Sequence, residues 1–180
     1  MDRPIGIFDS GIGGLTIVKE IMDMLPNENI IYFGDTARLP YGTKSKETVT
    51  RFSIQCIKFL LEKGVKAIVM ACNTASASSL EQVRQSFDLP IIGVVEPGAK
   101  TACNMTESGK IGIIGTEATV SSGAYERAIH CINNGVEIIL KACPLFVPLA
   151  EEGWQDTDIA FLTAKKYLSE FEGSGIDALV

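Results

Sequence analysis

The stretch VMACNTASA, residues 69–77, places a thiol, an amide and a hydroxyl side by side where a strand passes into a helix. The residues leading into it, KAIVMA, form a short apolar run that is typical of a buried strand. Small residues follow Cys72, Asn73 and Thr74, and a helical pattern begins soon afterwards. Because ligands of open α/β sheets bind beyond the carboxyl ends of the strands, this junction predicts a functional site.

The same alternation of strand and helix runs along the rest of the chain. Predicted strands cover residues 5–8, 30–33, 67–71, 91–95, 111–114, 137–140 and 176–180. Predicted helices cover residues 14–25, 46–63, 78–87, 97–105, 121–133 and 158–171. Most of the strands are continuous and rich in β-branched residues, as in buried parallel sheets. The pattern therefore predicts an α/β fold with doubly wound parallel sheets.

A domain boundary is predicted near VVEPGAK, because Pro97 and Gly98 interrupt the chain after a strand. This divides the chain into a first α/β domain, residues 1–96, and a second, residues 97–180. The last residues, GSGIDALV, are a turn and an apolar strand, after which the sequence stops. A finished domain seldom ends in this way, so we expect the natural protein to be longer.

Composition limits the classes of function. The 180 residues are 46% hydrophobic with a net charge of −6, which predicts a folded core and argues against binding to nucleic acid. The apolar runs are too short for a membrane span, and the N-terminus lacks the pattern of a signal peptide, which predicts a cytosolic chain. Five cysteines without a C-x-x-C pair predict free thiols rather than disulfides or a zinc cluster.

Polar residues follow most of the predicted strands, and each has a structural interpretation beside a functional one. Asp9 could cap the following helix, Asp35 and Thr36 could be turn formers, and Cys72 could be a small buried apolar residue. Pro40, Tyr41 and Gly42 could form an ordinary turn, or Tyr41 could be exposed at the rim of a site. The residues that follow the strands are Asp9, Ser10, Asp35, Thr36, Cys72, Asn73, Thr74, Glu96 and Thr116.

The position of Cys72 favours reactivity. A thiol in front of a helix faces the positive end of the helix dipole, which is expected to lower its pKa and favour the thiolate. Asn73, Thr74 and nearby backbone N–H groups add donors that suit a carboxylate. The stretch therefore predicts a reactive cysteine within a carboxylate-binding turn.

Three other motifs are weaker. GIGGLT lacks the third glycine of a dinucleotide fingerprint, and Asp9 would repel a pyrophosphate. YGTKS lacks the spacing of a P-loop. A hydrolase that used Cys72 would need a histidine base, and the single histidine, His130, lies in a helical pattern.

Six segments, taken together and in order, resemble the glutamate racemase family of the cofactor-independent aspartate/glutamate racemase superfamily. They are GIFDSGIGG, YFGDTARLPYGTKS, ACNTASA, GVVEPGAK, IGTEATVSSGAY and CPLFVPLAEEG. The resemblance covers nearly the whole chain. It implies two doubly wound parallel-sheet domains that face a shared cleft.

The resemblance also implies the activity. Family members interconvert L- and D-glutamate in the cytoplasm and supply D-glutamate for peptidoglycan, hence for cell-wall biogenesis and cell shape. They use two cysteines on opposite faces of the α-carbon, and need neither pyridoxal phosphate nor a metal. The implied partners are glutamate and, as a homodimer, a second copy of the chain, with no nucleic acid and no membrane.

Roles are carried over only onto matching motifs. Cys72 corresponds to the first catalytic cysteine, Asp9 would assist it, and Glu152 would support the second. The substrate-binding residues implied by the resemblance are Asp9, Ser10, Tyr41, Gly42, Asn73, Thr74 and Thr116.

The chain departs from the family at its end. The second cysteine of the family belongs to a GCTHYP-like motif after a strand, and this sequence stops at IDALV, where that motif should begin. Cys143 in KACPLF does not match it. We therefore expect a truncated chain that does not racemise efficiently alone. A racemase for aspartate or another amino acid and a non-catalytic carboxylate-binding fragment remain alternatives.

Overall fold

A computed structural model describes residues 3–180, in which strands and helices alternate as the sequence predicts. The strands are β1 (Ile5–Asp9), β2 (Ile30–Gly34), β3 (Ala67–Met70), β4 (Ile91–Gly93), β5 (Lys110–Gly115), β6 (Glu137–Ala142) and β7 (Ala178–Leu179). The helices are α1 (Leu15–Met24), α2 (Lys46–Glu62), α3 (Asn73–Ser86), α4 (Val95–Met105), α5 (Glu117–Ser121), α6 (Ala124–Ile132), α7 (Phe146–Glu151) and α8 (Asp158–Leu168). Short 3₁₀ turns cover Tyr41–Thr43 and Ser169–Phe171.

The chain divides into two compact units, one ending at Val94 and the other running from Val95 to Val180. Each unit contains its own parallel sheet, so the predicted α/β class with parallel sheets is confirmed. The division into two folding domains, 1–96 and 97–180, stays a prediction.

The first unit is a four-stranded sheet in the order β2-β1-β3-β4. The chain winds outward from β1 in one direction to β2, and in the other direction to β3 and β4, so the direction of winding reverses between β1 and β3. Such a switch point opens a crevice at the carboxyl ends of the two central strands. β1 ends at Asp9, and β3 is followed by Ala71 and Cys72.

The core of this unit lies between the sheet and helices α2 and α3. Fully buried apolar side chains come from β1, from β3 and from one stripe of α2, as an amphipathic helix on a sheet requires. Helix α2 begins cleanly because the Ser45 hydroxyl accepts a hydrogen bond from the Thr48 N–H group. A packed core of this kind fixes the strand ends, and with them the residues that follow.

The second unit is a three-stranded parallel sheet in the order β6-β5-β7. Ile111 and Ile113 of β5 are buried at its centre. Asp177, just before β7, binds the 106–108 turn by accepting hydrogen bonds from the Thr106 hydroxyl at 2.5 Å and the backbone N–H of Ser108 at 2.7 Å. These bonds hold the start of β7 to the loop that precedes β5.

Helix α3 begins at Asn73, five residues earlier than predicted. The run Ala75-Ser76-Ala77-Ser78 has no apolar periodicity, so the sequence pattern located the helix only where larger residues begin. In the structure Ser76 and Ser79 are buried, because small side chains allow α3 to pack closely on its neighbours. Ser76 donates to the Met70 carbonyl and Ser79 donates to the Ala75 carbonyl.

The predicted helix 97–105 begins two residues earlier than predicted. Strand β4 ends at Gly93, two residues before the predicted end, and α4 begins at Val95 and contains both Pro97 and Gly98. Proline is tolerated in the first turn of a helix, where its missing N–H group is not needed.

Two further helix predictions differ from the structure. The predicted helix 121–133 begins only at Ala124 as α6, because Gly123 before it has a φ of +64° that breaks the helical path, and the short helix α5, Glu117–Ser121, was not predicted. The predicted helix 158–171 ends at Leu168 and continues as a 3₁₀ turn. Helix α7 was not predicted, because a six-residue helix containing Pro148 lacks a readable period.

All five cysteines lie within the described residues and are free thiols, as predicted. Among residues 3–180, no helix has the length and apolarity that crossing a membrane requires.

Candidate active site

The site is built around Cys72, which is the N-cap residue of α3. Its thiol accepts a hydrogen bond from the Ala75 N–H group at 3.4 Å, as an N-cap side chain does. Cys72 is buried with 5% of its surface exposed, and it belongs to the same buried cluster as Phe8 and Met70. The thiol therefore lies at the strand-to-helix junction that the sequence predicts.

Ser10 contacts the thiol from the neighbouring strand. Its hydroxyl oxygen is 3.4 Å from the Cys72 sulfur, although the two residues are separated by 62 positions in sequence. The contact exists because β1 and β3 pair in parallel, with Phe8 opposite Met70. Of the predicted residues, Ser10 and Cys72 are thus brought into direct contact.

Asp9 is buried next to this pair. One of its carboxylate oxygens, Oδ2, accepts hydrogen bonds from the backbone N–H groups of Gly11 at 3.2 Å and Gly14 at 2.9 Å. Gly14 is the N-cap of α1, so Asp9 does hold the start of that helix, as the structural interpretation proposed. The close packing requires glycine, because a Cβ at Gly14 would lie 2.7 Å from the Asp9 Cβ.

The expected lowering of the Cys72 pKa is wrong. Burial, and to a smaller extent the negative charge of Asp9, raise the pKa of the thiol to about 11. Hydrogen bonds from Ser10 and the Ala75 N–H group act in the opposite direction but do not compensate. The predicted helix N-terminus is present next to the thiol. However, burial destabilises the thiolate more than the helix N-terminus stabilises it. At neutral pH the group is a thiol.

Asn73 and Thr74 form the first turn of α3. Asn73 is exposed and Thr74 is buried with 4% exposure. The N-terminal turn of a helix presents backbone N–H groups and a partial positive charge, both of which favour an anionic ligand. Next to a thiol and a serine hydroxyl, this turn can hold a carboxylate within reach of a proton donor.

Tyr41 is buried rather than exposed at the rim of a site. It is 1% exposed, and its hydroxyl donates a short hydrogen bond to Asp35. Arg38 pairs with the same carboxylate, with its Nε 2.7 Å from Asp35 Oδ2. Burial and the Asp35 carboxylate raise the pKa of Tyr41 far above its usual range. The Pro-Tyr-Gly sequence indicates a turn, but no sequence signal shows that its tyrosine points inward.

Asp35 and Arg38 were not predicted as a pair. Their spacing of three residues in DTAR is a signal that could have indicated it. They hold the turn that contains Tyr41 and Gly42, both of which are buried. The predicted binding role of those two residues therefore concerns a segment anchored by the buried Asp35 carboxylate and its partly exposed partner, Arg38.

Two predicted site residues belong to the second unit. Thr116 is the N-cap of α5, where its hydroxyl accepts from the Thr119 N–H group at 3.2 Å. Glu152 is exposed and follows α7 as its C-cap. The single histidine, His130, is exposed in α6, where Nε2 is 3.3 Å from the Val136 carbonyl oxygen.

Comparison with known proteins places this arrangement in a family. The sequence profile of Asp/Glu/Hydantoin racemase matches residues 14–180, which is most of the chain. The chain belongs to this racemase family. Among family members, the glutamate racemase of Geobacter metallireducens is 57% identical over 178 residues, which cover 99% of this chain and 66% of that protein.

Solved structures of the racemase family agree with the fold. A glutamate racemase isoform from Bacillus anthracis superposes with a TM-score of 0.95 at 40% identity, over 98% of this chain and 66% of that one. The glutamate racemase of Francisella tularensis, solved in complex with D-glutamate, gives a TM-score of 0.91 at 49% identity, with the same coverage of both chains. The chain thus spans about two thirds of the length of these relatives.

Proposed function

We propose that this chain carries one half of the proton-transfer site of a glutamate racemase. The contact that carries the proposal is the one between the Cys72 sulfur and the Ser10 hydroxyl at the β1/β3 switch point, beside the buried Asp9. The similarity to glutamate racemases at 57% identity supports glutamate over aspartate as the substrate. The reaction is the interconversion of L- and D-glutamate without pyridoxal phosphate or a metal.

In the proposed reaction Cys72 serves one face of the α-carbon. As a thiolate it removes the α-proton, the C–H bond breaks, and the electron pair spreads from the α-carbon into the substrate carboxylate. In the reverse direction the thiol donates its proton to the same face. A second thiol, implied by the family, acts on the opposite face.

Because the pKa of Cys72 is raised, donating a proton to the α-carbon and removing one from it require different conditions. As a thiol, Cys72 is ready to donate a proton at neutral pH. To remove one it must first ionise, and Asp9 opposes that step because of its negative charge. The α-ammonium group of an amino acid beside Asp9 would offset this charge, and so lower the pKa of the thiol only when substrate is bound.

The binding groups divide by chemistry. The N-terminal turn of α3, with Asn73 and Thr74, suits a substrate carboxylate, and Asp9 suits the ammonium group. Ser10 lies between Asp9 and Cys72 and can bond to either end of the reacting centre. Tyr41, Gly42, Thr116 and Glu152 keep the binding and supporting roles that the resemblance implies.

The wider role follows from the same family. We propose that the protein acts in the cytoplasm, where D-glutamate is supplied to peptidoglycan for cell-wall biogenesis and cell shape, and that it forms a homodimer. The net charge of −6 argues against a nucleic-acid partner.

The test is proton NMR of L-glutamate and D-glutamate, each incubated with the 180-residue chain in D₂O. We expect the α-proton of one enantiomer to exchange without racemisation, because no segment of the chain matches the second cysteine motif. Cys72→Ser should slow this exchange by at least about 100-fold, since loss of a general base costs about 10²- to 10⁴-fold. Cys56→Ser is the matched control, a buried thiol in mid-helix whose loss should leave exchange within about threefold of the original rate.

The other outcomes are equally informative. Racemisation of both enantiomers would contradict the assignment of one thiol to this chain. Exchange with aspartate but not glutamate would replace the substrate. Silence with every substrate, together with glutamate-dependent shifts of the Asn73 and Thr74 amides, would identify a carboxylate-binding module instead.

A further inference from the structure

Gly11 is hydrogen-bonded through both of its backbone polar groups. Its N–H group donates to Asp9 Oδ2 at 3.2 Å, and its carbonyl oxygen accepts a hydrogen bond from the Tyr32 hydroxyl at 2.8 Å. Gly11 is itself buried, in the turn that leads from β1 to α1. A single residue therefore connects Tyr32 to the carboxylate that lies beside the candidate catalytic thiol.

The end of β2 lies very close to the Gly11 carbonyl group. Tyr32 and Gly34 are two residues apart on one strand, so they face the same side of the sheet. A Cβ at Gly34 would lie only 2.7 Å from the Gly11 carbonyl oxygen, which is closer than a side chain can come. The Asp35 N–H group donates to the Asp9 backbone carbonyl at 2.9 Å, and so fixes the start of the same turn.

We propose that Tyr32 is a positioning residue for the site. Its hydroxyl holds the Gly11 carbonyl group, and the N–H group of the same residue holds the Asp9 carboxylate. This fixed turn keeps the Ser10 hydroxyl 3.4 Å from the Cys72 sulfur. Tyr32 does not touch the reacting atoms, so its effect passes through Gly11. The proposal rests on the proposed function only in its assignment of Asp9, Ser10 and Cys72 to the site.

The composition of the turn makes an added restraint valuable. Gly11, Gly13 and Gly14 give this turn a backbone whose conformations no Cβ narrows. The Asp9 carboxylate holds the Gly11 and Gly14 N–H groups from within the turn. The Tyr32 hydroxyl, from outside the turn, holds the Gly11 carbonyl oxygen as well.

The experiment measures how often the turn uncovers the thiol. The 180-residue chain, its Tyr32→Phe variant and a Tyr167→Phe control are treated with iodoacetamide, and alkylation of each cysteine is followed by peptide mass spectrometry. Tyr167→Phe is matched because it also removes one hydroxyl, one that accepts a hydrogen bond from the Leu145 N–H group at 3.3 Å in the second unit. Cys56 lies in the first unit, as Cys72 does, and is buried with 1% exposure, so its alkylation is the internal reference.

We expect Tyr32→Phe to raise the ratio of Cys72 to Cys56 alkylation about fivefold, as loss of one hydrogen bond allows more local opening. Tyr167→Phe should leave the ratio unchanged. A general loss of stability would raise alkylation of both thiols together, so an equal rise at Cys56 would overturn the proposal. An unchanged ratio would overturn it as well.

A second variant tests the same contact from the other side. Gly34→Ala must displace the Gly11 carbonyl, so we expect a larger rise in the ratio and faster hydrogen exchange at the Gly11 and Gly14 amides. Protection of both amides at the original level would contradict the proposal. Because these measurements use no substrate, their failure is separate from a failure of glutamate exchange.

Discussion

The first unit contains two buried thiols, each beside a buried aspartate, and they differ in what surrounds the carboxylate. Cys72 stands next to Asp9, whose Oδ2 is bound by backbone N–H groups. Cys56 is in contact with Tyr41 at 3.8 Å and with Arg38 at 3.7 Å, and both of these side chains bind Asp35. The pKa of each thiol is raised to about 11, with burial as the largest cause.

The difference is one of position and of counter-charge. Cys56 lies in the middle of α2, and the carboxylate near it is paired with a guanidinium, so the cluster is a closed structural unit. Cys72 is the N-cap residue of α3 and lies at a sheet switch point, where a ligand can approach. A raised pKa therefore does not by itself distinguish a reactive thiol from a structural one, whereas the location of the thiol in the fold does.

The largest expected effect is on the free energy of unfolding, when each of the two buried aspartates is replaced by alanine. Asp35→Ala should lower the free energy of unfolding by about 3 kcal/mol, because it leaves the Tyr41 hydroxyl and Arg38 without their buried partner. Asp9→Ala should cost about 1–2 kcal/mol, since it removes two bonds to backbone N–H groups but no ion pair. Urea unfolding of both variants measures the difference, and equal losses would show that the two clusters are not distinct.

An intermediate effect concerns the acidity of Cys72. Asp9→Asn retains an oxygen that can accept from Gly11 and Gly14 but removes the negative charge, so the pKa of the thiol should fall by about one pH unit. The rate of Cys72 alkylation at pH 8.5 should then rise up to about tenfold, because more thiolate is present. Site-resolved mass spectrometry at a series of pH values measures this.

The control for that prediction is Asp35→Asn, in which alkylation of Cys72 is measured in the same way. It removes a negative charge from the other cluster, and we expect the pH dependence of Cys72 alkylation to stay at its original position. A shift of Cys72 in this control would mean that the two clusters are electrostatically coupled.

The smallest effect is expected at an exposed carboxylate, which serves as the reference for the two buried ones. Hydrogen bonds from Thr106 and from the Glu107 and Ser108 N–H groups hold the pKa of Asp177 well below its ordinary value of 3.8. Its contribution to stability is therefore complete above that value and is lost as the pH falls through the lowered pKa. Asp177→Asn should be less stable than the original chain at pH 6, and the difference should narrow toward pH 2.

Urea unfolding across that pH range checks the prediction. Glu172→Gln, which also neutralises one exposed carboxylate of the second unit, is the matched control for the loss of a negative charge. A constant difference between Asp177→Asn and the original chain at every pH would contradict the assignment.

Local patterns in the sequence were enough to locate the strands and the candidate reactive cysteine. Apolar runs bounded by turn residues located the seven strands within a few residues, and the strand-to-helix junction identified Cys72 before any contact was known. These features depend on neighbours within about ten residues, which is the range over which periodicity and turn chemistry act. Helix α3 shows the limit, because its first turn consists of small residues whose burial depends on close packing.

The surroundings of Cys72 and Tyr41 depend on the tertiary structure. The strand order β2-β1-β3-β4 brings Ser10 to Cys72 across 62 residues, and no spacing in the sequence indicates it. The pKa of Cys72 is shifted upward rather than downward for the same reason. The helix terminus is visible in the local sequence, while the burial that outweighs it depends on the whole core. Tyr41 turned inward because Asp35 and Arg38 provide a buried partner for its hydroxyl, and a turn motif does not reveal such a partner.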